Sequence, residues 1–338
     1  MDLSTTYLGF KLPHPFIVGA GPLTETLDSV KRLEDAGAAA IVMHSLFEEQ
    51  IKREAVQITD AVPPTAQTFE SAASYFPKQR EFPSGPHGYL EHLNRIKSAV
   101  RVPVIASLNG TTPDGWLKYS KLIEDAGADA LELNIYYLPT DPKETGAAAE
   151  QRVLDSVRIV KGTVSIPVAV KLSPFYSAPV NLASRLDELG AQGIVIFNRF
   201  YQPEVDPDSL DMMPKAHLSK SSELSMRLRW LAILSGQVRA SLAVTGGVHT
   251  AVDAGRSITA GAHAIQMVSA LLIKGPQYLR EIKLRLEEWV EQYHFNSVVE
   301  MRGCLSLQNC PRPDAYERAN YARVLQSWHN NAAATRGD

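Results

Sequence analysis

Lys171 stands near the end of an apolar run, Pro167-Val168-Ala169-Val170-Lys171-Leu172-Ser173-Pro174. A buried ammonium there is costly unless it meets a negative group. A lysine that snorkels to solvent is the structural alternative. Two more apolar runs end on asparagine, Leu131-Glu132-Leu133-Asn134 and Val195-Ile196-Phe197-Asn198. Either amide alone reads equally well as a loop cap. Three polar residues at the ends of three strands converge on one cavity and favour a ligand. Thr245-Gly246-Gly247-Val248 closes a further run, and Val268-Ser269-Ala270 another. Paired glycines let backbone N–H groups approach phosphate oxygens, and a hydroxyl adds a donor. A plain tight turn without a ligand is the other reading of those glycines.

The elements that must position these residues are short apolar runs at Phe16–Ala20, Ala39–Met43, Val102–Leu108, Ala130–Ile135, Val168–Leu172, Gly193–Phe197, Leu242–Thr245 and Ala264–Val268. They are nearly continuous rather than alternating, as parallel strands buried on both faces are. Helical faces lie between them, such as Leu27, Val30 and Leu33, then Trp116, Tyr119 and Ile123. A repeat marks the junctions: Gly37-Ala38-Ala39-Ala40-Ile41, Gly127-Ala128-Asp129-Ala130-Leu131, Gly190-Ala191-Gln192-Gly193-Ile194 and Gly261-Ala262-His263-Ala264-Ile265. Each glycine reads as a helix C-cap followed by a strand. Strands alternating with helices in this number predict an α/β fold, a (β/α)8 TIM barrel with a C-terminal helical extension. The division is 1–293 for the barrel and 294–338 for the extension, which Tyr316, Tyr321, Val324, Leu325 and Trp328 should pack onto it. A doubly wound sheet is the alternative, but Thr24 stands where its third fingerprint glycine belongs. Long proline-bearing segments follow the second, fourth and sixth strands, and loops on that side of a barrel build its site.

Composition removes several classes. The 338 residues are 45% hydrophobic and 21% charged with a net charge of −3, which excludes a disordered chain and a general nucleic-acid binder. Cys304 and Cys310 are the only cysteines, too few for a disulfide framework, a four-cysteine zinc site or an iron–sulfur cluster. With no His/carboxylate cluster of metal spacing, no metal site is expected. No membrane-spanning run and no signal peptide are evident, so the expected location is cytoplasmic. The charge run Glu48-Glu49-Gln50 and Lys52-Arg53-Glu54 reads as a solvated face.

On these motifs the chain resembles the dihydroorotate dehydrogenases of the soluble class, which are flavin-dependent barrels. The resemblance runs from Leu8-Gly9 to Pro276. Its carriers are Pro15-Phe16-Ile17-Val18-Gly19-Ala20-Gly21, Ala106-Ser107-Leu108-Asn109-Gly110, Glu132-Leu133-Asn134-Ile135, Val170-Lys171-Leu172-Ser173-Pro174 and Thr245-Gly246-Gly247-Val248. It implies FMN as cofactor, with contacts from Ala20, Gly21, His44, Ser45, Asn134, Lys171, Asn198, Gly246, Gly247, Val268 and Ser269. Gly246, Gly247 and Ser269 would hold the phosphate, Lys171 would stand by the flavin's pyrimidine edge, and Asn134 and Asn198 would also meet substrate. The family usually follows the fourth-strand asparagine with Ser-Cys-Pro-Asn or Ser-Ser-Pro-Asn, whose Cys or Ser takes a proton from the substrate ring. Here the run is Asn134-Ile135-Tyr136-Tyr137-Leu138-Pro139, which puts Tyr137 at the base position. Tyr136 and Tyr137 also read as packing in the barrel mouth. The family's lysine after the second strand is replaced by Met43-His44-Ser45, and its lid asparagine turn by Ser71-Ala72-Ala73-Ser74-Tyr75. The implied activity is oxidation of dihydroorotate to orotate in pyrimidine biosynthesis. The implied partners are a small-molecule substrate, an unnamed electron acceptor or electron-transfer subunit, and a second copy in a homodimer. The alternatives are a flavin oxidoreductase of the same fold with another substrate or a role in passing electrons within a complex, and a flavin-free lyase or isomerase using the phosphate site.

Overall fold

The computed structural model describes residues 1–50, 85–110, 112–199, 203–213, 217–317, 320–323 and 325. Strands β1 (Thr5–Tyr7) and β2 (Phe10–Leu12) form an antiparallel hairpin. The barrel strands are β3 (Phe16–Val18), β4 (Ile41–Phe47), β5 (Val104–Asn109), β6 (Ala130–Asn134), β7 (Val168–Leu172), β8 (Gly193–Ile196), β11 (Ser241–Thr245) and β12 (Ala264–Met267). They are parallel and close in the order β11-β12-β3-β4-β5-β6-β7-β8. Closure, which the apolar runs predict, leaves no edge for a doubly wound sheet. A second hairpin, β9 (Glu204–Asp206) with β10 (Asp211–Met213), rises from the segment after β8.

Two of the strand ends that differ from the sequence expectation have local reasons. β3 stops at Val18 because the Gly19–Gly21 backbone presses against Val268. A Cβ on either glycine would lie 2.9 Å from that side chain. β4 runs on to Phe47 because, past an irregularity between Val42 and Ser45, it regains register with β5 through Phe47↔Asn109.

The repeat has a structural reason that periodicity alone does not reveal. Its fourth residues, Ala40, Ala130, Gly193 and Ala264, sit at the floor of the barrel around Tyr7, Leu8 and Leu12 of the hairpin. Small residues there make room for a plug. A Cβ on Gly193 would come within 2.5 Å of Leu8 Cδ2. In three of the four copies the side chain of the residue before it bonds a neighbouring strand. Asp129 Oδ2 accepts the Val104 N–H at 2.7 Å, Gln192 Oε1 that of Val168 at 2.9 Å, and His263 Nδ1 that of Leu242 at 3.1 Å.

His263 and His14, whose Nδ1 accepts the Phe16 N–H at 3.3 Å, carry a pH consequence. Burial pushes both imidazoles down to about 4, with backbone hydrogen bonds offsetting only part of it. An unfolded histidine titrates near 6.5, so between these values the unfolded chain binds more protons. Stability is therefore full above about pH 6.5 and is lost as pH falls toward about 4. The urea midpoint should drop steadily from pH 7 to 5, and less steeply in His263→Gln. A wild-type midpoint that stays flat over that range would refute this coupling.

The segment beyond the barrel is tied to its helices by backbone bonds, Gly303 N–H to Ile258 O at 3.0 Å and Leu307 N–H to Ala232 O at 2.9 Å. Val298 and Met301 join the outer core. Tyr316 packs against that core, but Tyr321 and Leu325 are 66% and 52% exposed. The expectation that they are buried on the barrel is corrected: their short helical stretch presents them to solvent. Val324 and Trp328 lie outside the described residues. Among the described residues no helix is long and apolar enough to cross a membrane.

Candidate active site

Alternate residues of a strand share a face, and three strands use this to fill the barrel axis. Above the floor alanines Ala130, Ala169 and Ala264 come Glu132, Lys171 and Gln266. Lys171 Nζ lies 3.2 Å from Glu132 Oε1 and 3.4 Å from Gln266 Oε1, while Gln266 Nε2 donates to the other Glu132 oxygen. Glu132 is 0% exposed and Lys171 only 6%. The lysine therefore does not snorkel, and its negative partner is supplied by the protein. Tyr7 lies below this group. Burial raises its phenol well above the ordinary range and the Glu132 charge adds to the shift. Gln266 tempers that shift, although no atom reaches hydrogen-bond geometry with Tyr7 Oη.

A cavity of about 810 Å³ opens over the C-terminal ends of the strands, within the range of small-molecule and cofactor sites. Ala20, Gly21, His44, Ser45, Asn134, Lys171, Asn198, Gly246, Gly247, Val268 and Ser269 all line it. Asn198 Nδ2 donates to Asn134 Oδ1 at 2.6 Å, so the two amides act as one unit. Asn134 and Lys171 are register partners across β6 and β7. Ser45 Oγ lies 2.8 Å from Ser107 Oγ.

Tyr137 is placed differently. It does not line the cavity; its phenol donates to Glu144 and the Arg152 guanidinium lies 4.4 Å from its ring centroid. The Glu144 hydrogen bond raises the phenol's pKa, desolvation adds to that, and Arg152 opposes it. This is the wrong direction for a base. Tyr136 takes the place on the wall.

At the opposite end, Gly246 and Gly247 have φ of +81° and +89°, a region that favours glycine. A Cβ on Gly247 would lie 2.8 Å from the Leu224 backbone nitrogen, so the turn is pressed onto the start of helix Leu224–Leu234. Arg227 of that helix is 4% exposed and donates to Thr245 O at 2.6 Å and Glu223 O at 2.7 Å. Its guanidinium lies directly behind Gly246. Burial lowers its pKa and the Glu223 charge opposes this. Ser219, from the segment after β10, accepts the Gly247 N–H at 3.1 Å and donates its own N–H to Ser269 Oγ at 3.0 Å. A glycine turn and two serines on the cavity wall are donors of the kind a phosphate group needs, and the Arg227 charge lies behind them. The residues present fit FMN on this test.

Several of these residues escape sequence reading. Arg227 and Ser219 carry no motif. Glu132 had a signal: an acid inside an apolar strand implies a buried cation nearby. Glu48 reverses its expectation. It is 4% exposed, not solvated, and accepts the Thr112 N–H at 3.0 Å together with the Thr112 hydroxyl. A carboxylate is favourable there, at the start of helix Pro113–Asp125. Lys52-Arg53-Glu54 and Ser71–Tyr75 lie outside the described residues.

Comparison with known proteins bears on this geometry. The dihydroorotate dehydrogenase family model matches residues 83–290. Dihydroorotate dehydrogenase B (NAD(+)), catalytic subunit, from Thermoplasma volcanium is 28% identical over 310 residues, covering 89% of this chain and 98% of the relative. The putative dihydroorotate dehydrogenase A (fumarate) of Aeropyrum pernix is 31% identical over 202 residues, covering 57% and 64%. The chloroplastic dihydropyrimidine dehydrogenase (NADP(+)) of Arabidopsis thaliana is 22% identical over 330 residues, covering 89% and 76%.

Proposed function

The chain belongs to the dihydroorotate dehydrogenase family, and from that premise we propose that it is an FMN-dependent oxidoreductase converting dihydroorotate to orotate in pyrimidine biosynthesis. What supports this is one cavity lined both by Gly246, Gly247 and Ser269, where a phosphate group would be held, and by the buried Lys171. Ala20, Gly21, His44, Ser45 and Val268 provide the intervening wall. When bound there, FMN supplies a two-electron acceptor for oxidation of a CH–CH bond. The protein's own part is orientation and charge. Glu132 and Gln266 fix the Lys171 ammonium on the barrel axis. The Asn198–Asn134 hydrogen bond fixes both amides, leaving the Asn134 N–H and Asn198 Oδ1 for a ligand. Arg227 adds a fixed positive charge behind the glycine turn.

The finer readings follow. The catalytic-subunit description of the Thermoplasma relative supports an acceptor reached through a second subunit. A homodimer and a cytoplasmic location complete the proposal. The absence of Cys or Ser after Asn134 favours, as a second reading, a related substrate with a carbonyl-flanked CH–CH bond.

The test is an anaerobic titration. The purified protein should be yellow with bound FMN, and dihydroorotate should bleach it. A protein that takes up no flavin, or a bound flavin untouched by dihydroorotate, would overturn the reading. Tyr137→Phe should change the bleaching rate by less than about twofold, far short of the ~100-fold or more that loss of a general base costs. A larger drop would show that Tyr137 moves into the cavity during turnover.

A further inference from the structure

With Tyr137 turned away and no Cys or Ser after Asn134, the oxidation still needs a proton acceptor on the cavity wall. His44 leaves β4 at that wall. Thr24, itself fully buried, clamps it twice. Thr24 Oγ1 accepts the His44 backbone N–H at 2.7 Å, and Thr24 O lies 3.3 Å from His44 Nδ1. A carbonyl oxygen only accepts, so Nδ1 carries the proton and Nε2 of the neutral ring is a lone-pair acceptor. Nε2 has no hydrogen-bond partner among the described residues. Tyr89 packs edge-on against the ring at 5.2 Å and 78°, which limits its rotation.

Several of the other described ionisable groups on the wall are committed elsewhere. Lys171 is paired with Glu132, His217 with Glu204, and Tyr136 already has an interaction partner. Glu25 is exposed at the rim, and Arg95 and Arg199 are cations. His92, with its ring 5.8 Å from that of His44, gives its Nε2 to the same Thr24 carbonyl at 3.1 Å.

We propose that His44 is the proton acceptor of the reaction, taking through Nε2 a proton from a ring carbon that adjoins a carbonyl. This rests on the oxidoreductase reading above. The carbonyl is required because imidazole is too weak a base for an unactivated C–H bond. The C–H bond beside the carbonyl breaks, its proton goes to Nε2, and its electron pair becomes the new C=C bond. A bound flavin would supply the two-electron oxidant that takes the hydrogen of the neighbouring carbon with both bonding electrons. The imidazolium then returns its proton to solvent. Burial lowers the His44 pKa; the Thr24 carbonyl opposes that shift and the nearby His92 adds to it. The ring is therefore in its base form at neutral pH.

The experiment compares wild type, His44→Gln and His92→Gln by anaerobic rapid mixing with dihydroorotate over roughly pH 5 to 8, the range where imidazole titrates. His44→Gln should keep its melting temperature, its FMN content and its affinity for the product orotate. Its flavin reduction should slow by about 100-fold or more. The wild-type rate should fall on the acid side as His44 protonates, and that fall should vanish in His44→Gln. His92→Gln should keep the acid fall. A His44→Gln protein that reduces flavin at near the wild-type rate, or with the wild-type pH profile, overturns the proposal and leaves the oxidoreductase reading standing. The same holds if His92→Gln is the variant that loses both. A wild type that binds FMN but is not reduced by dihydroorotate at any pH overturns the substrate reading, and this assignment with it.

Discussion

Gly247→Leu should give a folded barrel that purifies without flavin. At a φ of +89° any side chain is strained, by roughly 1–2 kcal/mol. Here it would also meet the Leu224 backbone nitrogen at 2.8 Å, and backbone cannot swing aside as a side-chain tip can. The turn must lift off helix Leu224–Leu234, taking with it the Gly247 N–H that bonds Ser219. FMN added back should bind at least tenfold more weakly, a change of ~1.4 kcal/mol. Gly9→Ala is the control for strain alone. Gly9 has a φ of +85° but nothing within 4 Å of its added Cβ, and it lies in the floor hairpin away from the cavity. It should lose some stability and keep its flavin. Full FMN occupancy in Gly247→Leu would show that the glycine turn is only a turn.

The barrel was legible because its strands are compact apolar runs, several of which turn polar at or just past the end that meets the cavity. Asn134, Lys171 and Asn198 stand out by that contrast, and Gly246-Gly247 by conformation. What sequence order hides is pairing across strands. Glu132 and Lys171 lie 39 residues apart and meet only because β6 and β7 are neighbours with Asn134 opposite Lys171. Which of Tyr136 and Tyr137 faces the cavity is hidden for a related reason. Within a strand, alternation tells which residue faces the axis, but β6 ends at Asn134 and the two-residue period lapses there. Beyond that point Glu144 and Arg152, from the next loop and helix, decide which ring is held outside. Glu48 sits in a charged run, and only the fold brings Thr112 to it. The floor hairpin was missed because strands of three residues give too short a pattern to read.

Lys171→Met should destabilise the barrel more than any change at its surface. The substitution removes the ammonium and leaves the Glu132 carboxylate fully buried, with Gln266 as its remaining donor. Breaking a buried pair from one side costs about 3–5 kcal/mol, because the surviving charge has lost its partner. For a chain of this size that is a fall in melting temperature on the order of 10 °C. Lys171→Met with Glu132→Gln should recover most of the stability, since two neutral amides at 132 and 266 can satisfy each other. It should not recover the flavin chemistry. Without a cation on the axis the bound flavin should be harder to reduce in both the single and the double variant. Denaturation curves and the flavin midpoint potential together separate the two roles, stability following the pair and potential following the lysine. A single variant as stable as wild type would mean that Glu132 has another source of charge compensation. An unchanged potential in the rescued double variant would mean that the ammonium acts only within the barrel wall.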